Sequence, residues 1–357
     1  MYQALYRSFR PEVFDELLGQ EHIIKILSNQ IDSASVGHAY LFCGTRGTGK
    51  TTTARLLAKA LNCTGEGKKP CGTCPSCRAI AAGTFIDVVE LDAASNNSVD
   101  DIRSIRESVN FPPVVGRTKV YIIDEAHMLT TQAANAFLKT LEEPPENTVF
   151  ILATTDPNKL PPTILSRCIR LDFRRVPERQ IAEGFAKICA DIGVDADKDA
   201  LALIAANADG SVRDGLSLLD RCVAGTAKLT RDDVLFLLGA SGVETFIDIT
   251  DKVAKKDSSG AITALAEVLS EGKEVLQFTK DWVEHVRNVM IVKYTKEPEN
   301  IIGLSLENIK RLKIQADELS MDQISSIITK LSKVLNDARY ASKPRILLEL
   351  AIIELCA

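Results

Sequence analysis

The spacing of hydrophobic positions changes along the chain. Through residue 175, short unbroken apolar runs alternate with stretches in which apolar residues recur every three or four positions. Ala39–Phe42, Val120–Ile123 and Val149–Ala153 are too uniformly apolar for a half-solvated sheet, so they predict buried parallel strands, with another at Ile169–Phe173. Their alternation with helical periodicity predicts a parallel sheet flanked by helices over 1–175. From Val176-Pro177-Glu178 onward the region reads as mainly helical. Helices are expected over Glu178–Gly193, Asp197–Ala208, Arg213–Ala224 and Thr230–Leu238, a small helical domain over 176–242. Residues 243–357 keep the helical period in Phe246–Lys255, Ser259–Glu271, Lys273–Val292, Ser305–Glu318 and Asp322–Asn336, and Pro344 opens a last helix through Cys356.

Composition adds exclusions. At 357 residues the chain is expected to hold two or three domains. Its 45% hydrophobic and 25% charged residues describe a soluble globular protein, and no apolar run approaches the roughly 18 residues of a membrane span. The charged N-terminus lacks the apolar core of a signal peptide, and a cytoplasmic location is expected. A formal charge of −5 disfavours a generic polyanion binder, while leaving room for local DNA contacts. One tryptophan and 5% aromatic residues disfavour base stacking as the main activity.

The most specific chemistry follows the first strand. Gly44-Thr45-Arg46-Gly47-Thr48-Gly49-Lys50-Thr51 is a glycine, four residues, then Gly-Lys-Thr, a loop whose backbone amides can wrap phosphates. Lys50 can reach the β- and γ-phosphates and Thr51 can offer its hydroxyl to magnesium. Thr52 begins a helical pattern, and a helix N-terminus favours an anion. Strand and helix on either side separate this loop from an accidental glycine turn.

Val120–Ile123 ends in Asp124-Glu125-Ala126-His127. Carboxylates at the C-terminal end of a parallel strand sit where open α/β sheets bind ligands. Asp124 is expected to organise magnesium, and Glu125 to orient and polarise an attacking water. The next strand ends in Thr154-Thr155-Asp156-Pro157, where Thr155 is either a sensor of the γ-phosphate or part of a strand-end turn. Arg167, in Ser166-Arg167-Cys168, lies at a rim of the domain and is suited to reach a neighbour. Arg213, in Ser211-Val212-Arg213-Asp214, opens a later helix and is suited to close over a nucleotide. Either arginine could otherwise be an ordinary surface cation.

Nine cysteines do not imply disulfides here, because an ATP site implies a reducing compartment. Cys63, Cys71, Cys74 and Cys77 have seven, two and two residues between them. Four thiolates at such spacing suit a closed tetrahedral zinc site; a redox pair or an iron–sulfur cluster are the other readings. Pro70 to Ser76 reads as a polar loop. Cys43, Cys168, Cys189, Cys222 and Cys356 read as small core residues.

Together these residues resemble the AAA+ ATPases, and within them the clamp loaders of DNA replication. Tyr6-Arg7-Ser8-Phe9-Arg10-Pro11, Gly19-Gln20, the phosphate loop, the four cysteines, Leu141-Glu142-Glu143-Pro144-Pro145, Ala153-Thr154-Thr155-Asp156-Pro157, Ser166-Arg167-Cys168 and Ser211-Val212-Arg213-Asp214 are similar to the gamma/tau family of bacterial DNA polymerase III. The related delta-prime subunits can carry the cysteines and Ser-Arg-Cys but commonly lack a working phosphate loop, so the intact loop favours gamma/tau.

The resemblance implies an α/β P-loop AAA+ domain with a zinc module at about 62–84, a helical lid, and an all-α collar that joins subunits. The last region also reads as an ordinary helical domain. It implies an ATP hydrolase using Mg2+, with Thr155 as first sensor, Arg213 as second sensor, and Arg167 as a finger acting on the adjacent subunit's ATP. Arg10 and Pro11 are similar to the segment beside the adenine. The implied partners are delta and delta-prime subunits, further copies of the chain, the beta sliding clamp and primer–template DNA, in a nucleoid-associated cytoplasmic setting. The residues stop at Ala357 after an apolar helix, so a helicase- and polymerase-binding tail is not expected from them. Three other readings stand beside this: another DNA motor such as a branch-migration ATPase, a scaffold that binds nucleotide for structure, and a metal-sensing regulator. Asn96-Asn97-Ser98, Arg103 and Arg106 read either as a DNA-facing loop and helix or as a solvated surface.

Overall fold

Five short strands form a parallel sheet with the order β2-β3-β4-β1-β5: β1 (Ala39–Cys43), β2 (Val88–Asp92), β3 (Lys119–Asp124), β4 (Thr148–Thr154) and β5 (Ile169–Asp172). The structure is a computed structural model describing residues 4–95, 108–109, 111–238, 243–270, 272–302, 304, 306–338 and 341–357. Asn96, Asn97, Ser98, Arg103 and Arg106 lie outside the described residues. The chain separates into two units, Met1–Thr230 and Arg231–Ala357.

In the first unit the central strands are buried on both faces, which explains their unbroken apolar runs. Successive side chains point to opposite faces. Tyr40, Phe42, Val120, Ile122, Val149 and Ile151 pack on one side with Ile23 and Leu27 of α2 (Glu21–Asp32) and Leu56 and Leu57 of α3 (Lys50–Asn62). Leu41, Tyr121, Ile123, Phe150 and Leu152 pack on the other with Ala133, Phe137 and Leu141 of α5 (Thr131–Glu142) and Ile164 of α6 (Pro162–Leu165). The sheet's register brings the ends of β1 and β3 to the same edge as the end of β4, since Cys43 pairs with Thr154 and Ile123 with Leu152.

Two further short helices belong to the N-terminal half. A single turn, α1 (Leu5–Ser8), carries Tyr6. Within the cysteine segment, α4 (Pro75–Ala81) takes Pro75 at its first turn and Cys74 as its N-cap; the polar loop expected there ends at this helix. Beyond the sheet follow α7 (Glu178–Asp191), α8 (Lys198–Asn207) and α9 (Val212–Val223). The two-residue strands β6 (Asp195–Ala196) and β7 (Lys228–Leu229) pair in parallel among them. A pair this short carries no readable hydrophobic period.

The second unit is helical in all its described elements: α10 (Arg231–Leu238), α11 (Val243–Ala254), α12 (Ser258–Ser270), α13 (Val275–Tyr294), α14 (Leu306–Glu318), α15 (Met321–Asp337) and α16 (Pro344–Cys356). Phe278, Trp282, Val286 and Val289 form one face of α13 and centre the core. The core also encloses polar groups with internal partners. Trp282 Nε1 donates to Thr250 Oγ1 at 2.8 Å. His285 Nε2 bonds Gln315 Oε1 at 2.8 Å, and Gln315 Nε2 donates to the Ile247 carbonyl and to Asp251. Among the described residues no helix is long and apolar enough to cross a membrane.

Candidate functional site

The phosphate loop leaves β1 at Gly44 and enters α3 at Lys50. Gly49 caps α3 with φ +101°, a backbone state that residues with a Cβ rarely adopt. Gly47 has φ +76°, and a side chain there would run into Ser211 Oγ. The leading N–H groups of a helix have no intrahelical partner, and at α3 they follow directly on the glycine turn. Thr45 and Arg46 are exposed on the loop, Thr48 is buried, and Thr52 lies in the first turn of α3.

Lys50 is buried, and its Nζ donates to the Gly44 and Thr45 carbonyls, each at 2.8 Å. Burial pulls this ammonium below the ordinary lysine value, while Glu125 and Asp124 pull it back up. Two main-chain carbonyls therefore hold the charge beside the loop, where a phosphate could replace them.

At the end of β3, Asp124 faces the start of α3. Thr51 Oγ1 donates to Asp124 Oδ2 at 2.6 Å, and the Glu125 N–H donates to Asp124 Oδ1 at 2.9 Å. A hydroxyl and a carboxylate at this separation offer hard oxygen ligands of the kind magnesium takes, usually with retained waters. Glu125 itself stands at φ +48°, an uncommon state for a residue with a side chain. Its Oε2 accepts a long hydrogen bond from Thr155 Oγ1 at 3.5 Å and lies 3.5 Å from His127 Nδ1. His127 Nδ1 also bonds Thr154 Oγ1 at 3.1 Å. The structure thus gathers Lys50, Thr51, Asp124, Glu125 and Thr155 at the C-terminal edge of the sheet. His127 belongs to this group and had no role in the sequence reading, although it completes the Asp-Glu-Ala-His run.

Arg213 lies at the second position of α9, which Ser211 caps by accepting from the Asp214 N–H at 3.2 Å. The Arg213 guanidinium stacks over the Tyr6 ring, 5.3 Å from its centroid. Only the structure joins these two, because α1 and α9 are remote in sequence. Arg10 is half-buried, and burial together with Arg55 and Arg213 pulls it below the ordinary arginine value, against Glu90 and Asp124. Arg10 therefore shares an electrostatic neighbourhood with Arg213 and Asp124; Pro11 follows it, half-buried.

Arg167 is not among them. It precedes β5, whose first residue Ile169 pairs with Tyr40 near the start of β1, so it lies toward the N-terminal edge of the sheet. There it donates to Thr163 and to Glu142. Glu142 was legible only as part of Leu141-Glu142-Glu143-Pro144-Pro145, with no partner indicated.

Cys63, Cys71, Cys74 and Cys77 bring their sulfurs within 4.8 Å of one another. Tetrahedral zinc with bonds of about 2.3 Å needs sulfurs about 3.8 Å apart, so the set fits that ion with small adjustment. Main-chain N–H groups already point at the sulfurs: Cys71 N at Cys63, Cys74 N at Cys71 and Cys77 N at Cys74, at 3.3–3.4 Å. Burial works to raise the Cys74 thiol, yet hydrogen bonds from Cys77 and Thr64 bring it down to about 5, in favour of thiolate. The module also grips the N-terminal segment. Lys68 donates to both Asp15 carboxylate oxygens at 2.5 and 2.6 Å, and Lys59 of α3 pairs with Glu12.

Comparison with known proteins agrees along the whole chain. Three family models match in succession: "DNA polymerase III, delta subunit" over residues 19–177, "DNA polymerase III clamp loader subunit, ATPase lid domain" over 180–228, and "DNA polymerase III subunits gamma and tau domain III" over 229–357. DNA polymerase III subunit tau of Bacillus subtilis is 40% identical over 99% of this chain, which spans 63% of that relative's length. DNA polymerase III subunit gamma of Buchnera aphidicola is 42% identical, with 76% of each chain covered. Among solved structures, the RuvB Holliday junction branch migration motor of Thermotoga maritima superposes with a TM-score of 0.50 at 21% identity, covering 69% of this chain and 79% of that one. That likeness concerns fold alone: a parallel five-stranded sheet with flanking helices, the AAA+ architecture.

Proposed function

We infer function from family: the chain belongs to the gamma and tau subunits of DNA polymerase III. We read it as the ATP-hydrolysing subunit of a clamp loader, one that uses ATP to load a sliding clamp onto primer–template DNA. The observation that carries this reading is the meeting of Lys50, Thr51, Asp124, Glu125 and Thr155 at one edge of the sheet.

In this reading residues 1–175 form the ATPase domain, 176–242 the lid and 243–357 a collar that joins subunits. The loop amides from Gly44 to Thr52 and the Lys50 ammonium bind the phosphates. Thr51 and Asp124 would hold Mg2+, which neutralises phosphate charge when bound. Glu125 polarises the attacking water, with Thr155 beside it to report the γ-phosphate. Arg213 leaves Tyr6 for the γ-phosphate and so ties the lid to nucleotide state, and Arg10 and Pro11 line the nucleotide's flank. Arg167 faces outward and serves the ATP of an adjacent subunit, where an arginine in trans stabilises transferring charge. The four cysteines hold a structural zinc. Delta and delta-prime subunits, further copies of the chain, the clamp and DNA complete a cytoplasmic assembly, and differential affinity for ATP and ADP drives its change of shape.

The test mixes the chain with delta, delta-prime, clamp and primed DNA and follows ATP turnover. A strong rise with all components and not with any subset is expected. Equal turnover with and without clamp and DNA would reject the reading.

A further inference from the structure

Arg167 is held at two points. Its Nη2 donates to Glu142 Oε1 at 2.5 Å, and its Nη1 donates to the Thr163 carbonyl at 2.8 Å, with Ser166 Oγ at 3.4 Å. A planar guanidinium fixed by a carboxylate and a main-chain carbonyl loses its swing, and keeps its other N–H donors for an incoming anion. The Arg167 and Glu142 side chains are 33% and 47% exposed, so their charge attraction alone is worth little. The value of the pair is geometric.

Both anchors also lead back to the phosphate edge. α5 begins just after Glu125 and its turn, crosses under the sheet, and ends in Glu142. At about 1.5 Å per residue that helix spans roughly 18 Å, the way from one edge to the other. Thr155 opens the second path, which runs through Pro157–Lys159 and α6 to Thr163 and Arg167. The two residues nearest the proposed attacking water thus sit at the heads of the two segments that grip Arg167.

The geometry points to Glu142 as a positioning residue for Arg167, orienting the guanidinium toward the triphosphate of a neighbouring subunit. This rests on the reading of Arg167 as an arginine that acts in trans.

The experiment measures steady-state ATP turnover of the complete assembly with clamp and primed DNA, for Glu142→Ala, Glu142→Gln, Arg167→Ala and the Glu142→Ala/Arg167→Ala pair. Glu142→Ala is expected to lower kcat roughly tenfold, the scale of a lost orientation, with KM and the free chain's nucleotide affinity unchanged. Glu142→Gln keeps an oxygen acceptor and should recover much of the loss. In the Arg167→Ala background, Glu142→Ala should add nothing. An unchanged or raised kcat in Glu142→Ala would overturn the inference, as would a further fall in the double variant equal to that in the single one. Full turnover in Arg167→Ala would instead overturn the trans reading, and Glu142 would lose its role with it.

Discussion

The two units treat their polar side chains in opposite ways. In the second, Trp282 is closed off on Thr250, and His285, Gln315 and Asp251 form a chain within the helical core. Buried groups satisfied this way specify one packing and have little left to offer a ligand. In the first unit, the polar groups that matter are parked at strand ends on replaceable partners. Lys50 rests on two carbonyls, Thr51 on Asp124, and Thr155 only loosely on Glu125. The first unit is not uniformly loose: buried Asp87 accepts the N–H groups of Val114, Val115 and Gly116 and stays below the ordinary carboxylate value because those bonds outweigh its burial. Readiness for chemistry therefore belongs to an edge, not to a whole domain.

The contrast is most easily broken at Glu125. Glu125→Gln should cut turnover of the assembly roughly a thousandfold while nucleotide affinity and the unfolding of both units stay as they were. Turnover near the native rate would end the claim that this acid polarises water. Next in size is the cysteine module. Cys74→Ser removes a proposed zinc ligand while leaving an oxygen that can still cap α4, so bound zinc should fall from about one per chain to near zero, and the first unit should melt earlier while the second melts unchanged. Metal analysis alongside calorimetry reads both; full zinc content in the variant would discount the site.

The second unit should respond to acid. Burial pushes His285 from its usual 6.5 down to about 4, so the imidazole is neutral in the folded unit. A depressed folded value means that the unfolded chain binds the proton first. The contribution is complete above about pH 6.5 and fades as pH falls toward 4, by up to about 3 kcal/mol. Trp282, the only tryptophan, reports the unit's unfolding by fluorescence. His285→Gln should flatten this pH dependence; a profile identical to the native one would mean another group titrates. The smallest effect is expected at Tyr6. Tyr6→Ala removes an aromatic face worth about 0.5–1 kcal/mol to Arg213, so apparent ATP affinity should change only a fewfold, measured by nucleotide titration.

What could be read from sequence was local. The phosphate loop, the acid pair ending β3 and the cysteine spacing each fit in a short window, and the buried strands announce themselves by unbroken apolar runs. The rest depends on segments far apart in the chain. Tyr6 beneath Arg213 and Glu142 against Arg167 are products of packing, and no spacing rule joins them. The helix α4 escaped because its cap is a cysteine, outside the usual Ser, Thr, Asp and Asn signal, and because its Pro75 reads equally well as a turn. Asp87 escaped because it is one of two acids, with Glu90, in the largely apolar stretch Phe85 to Leu91, where an acid suggests solvent rather than three buried amides.

Gly47 carries a consequence for how this protein can change. The space that a side chain there would need is filled by Ser211, the cap of the helix that bears Arg213. Any residue with a β-carbon at 47 must displace that cap, so a substitution in the loop also shifts the start of the helix that carries Arg213. The two positions are coupled neighbours whose effects will not add, and evolution or engineering of the loop has to move them as a pair.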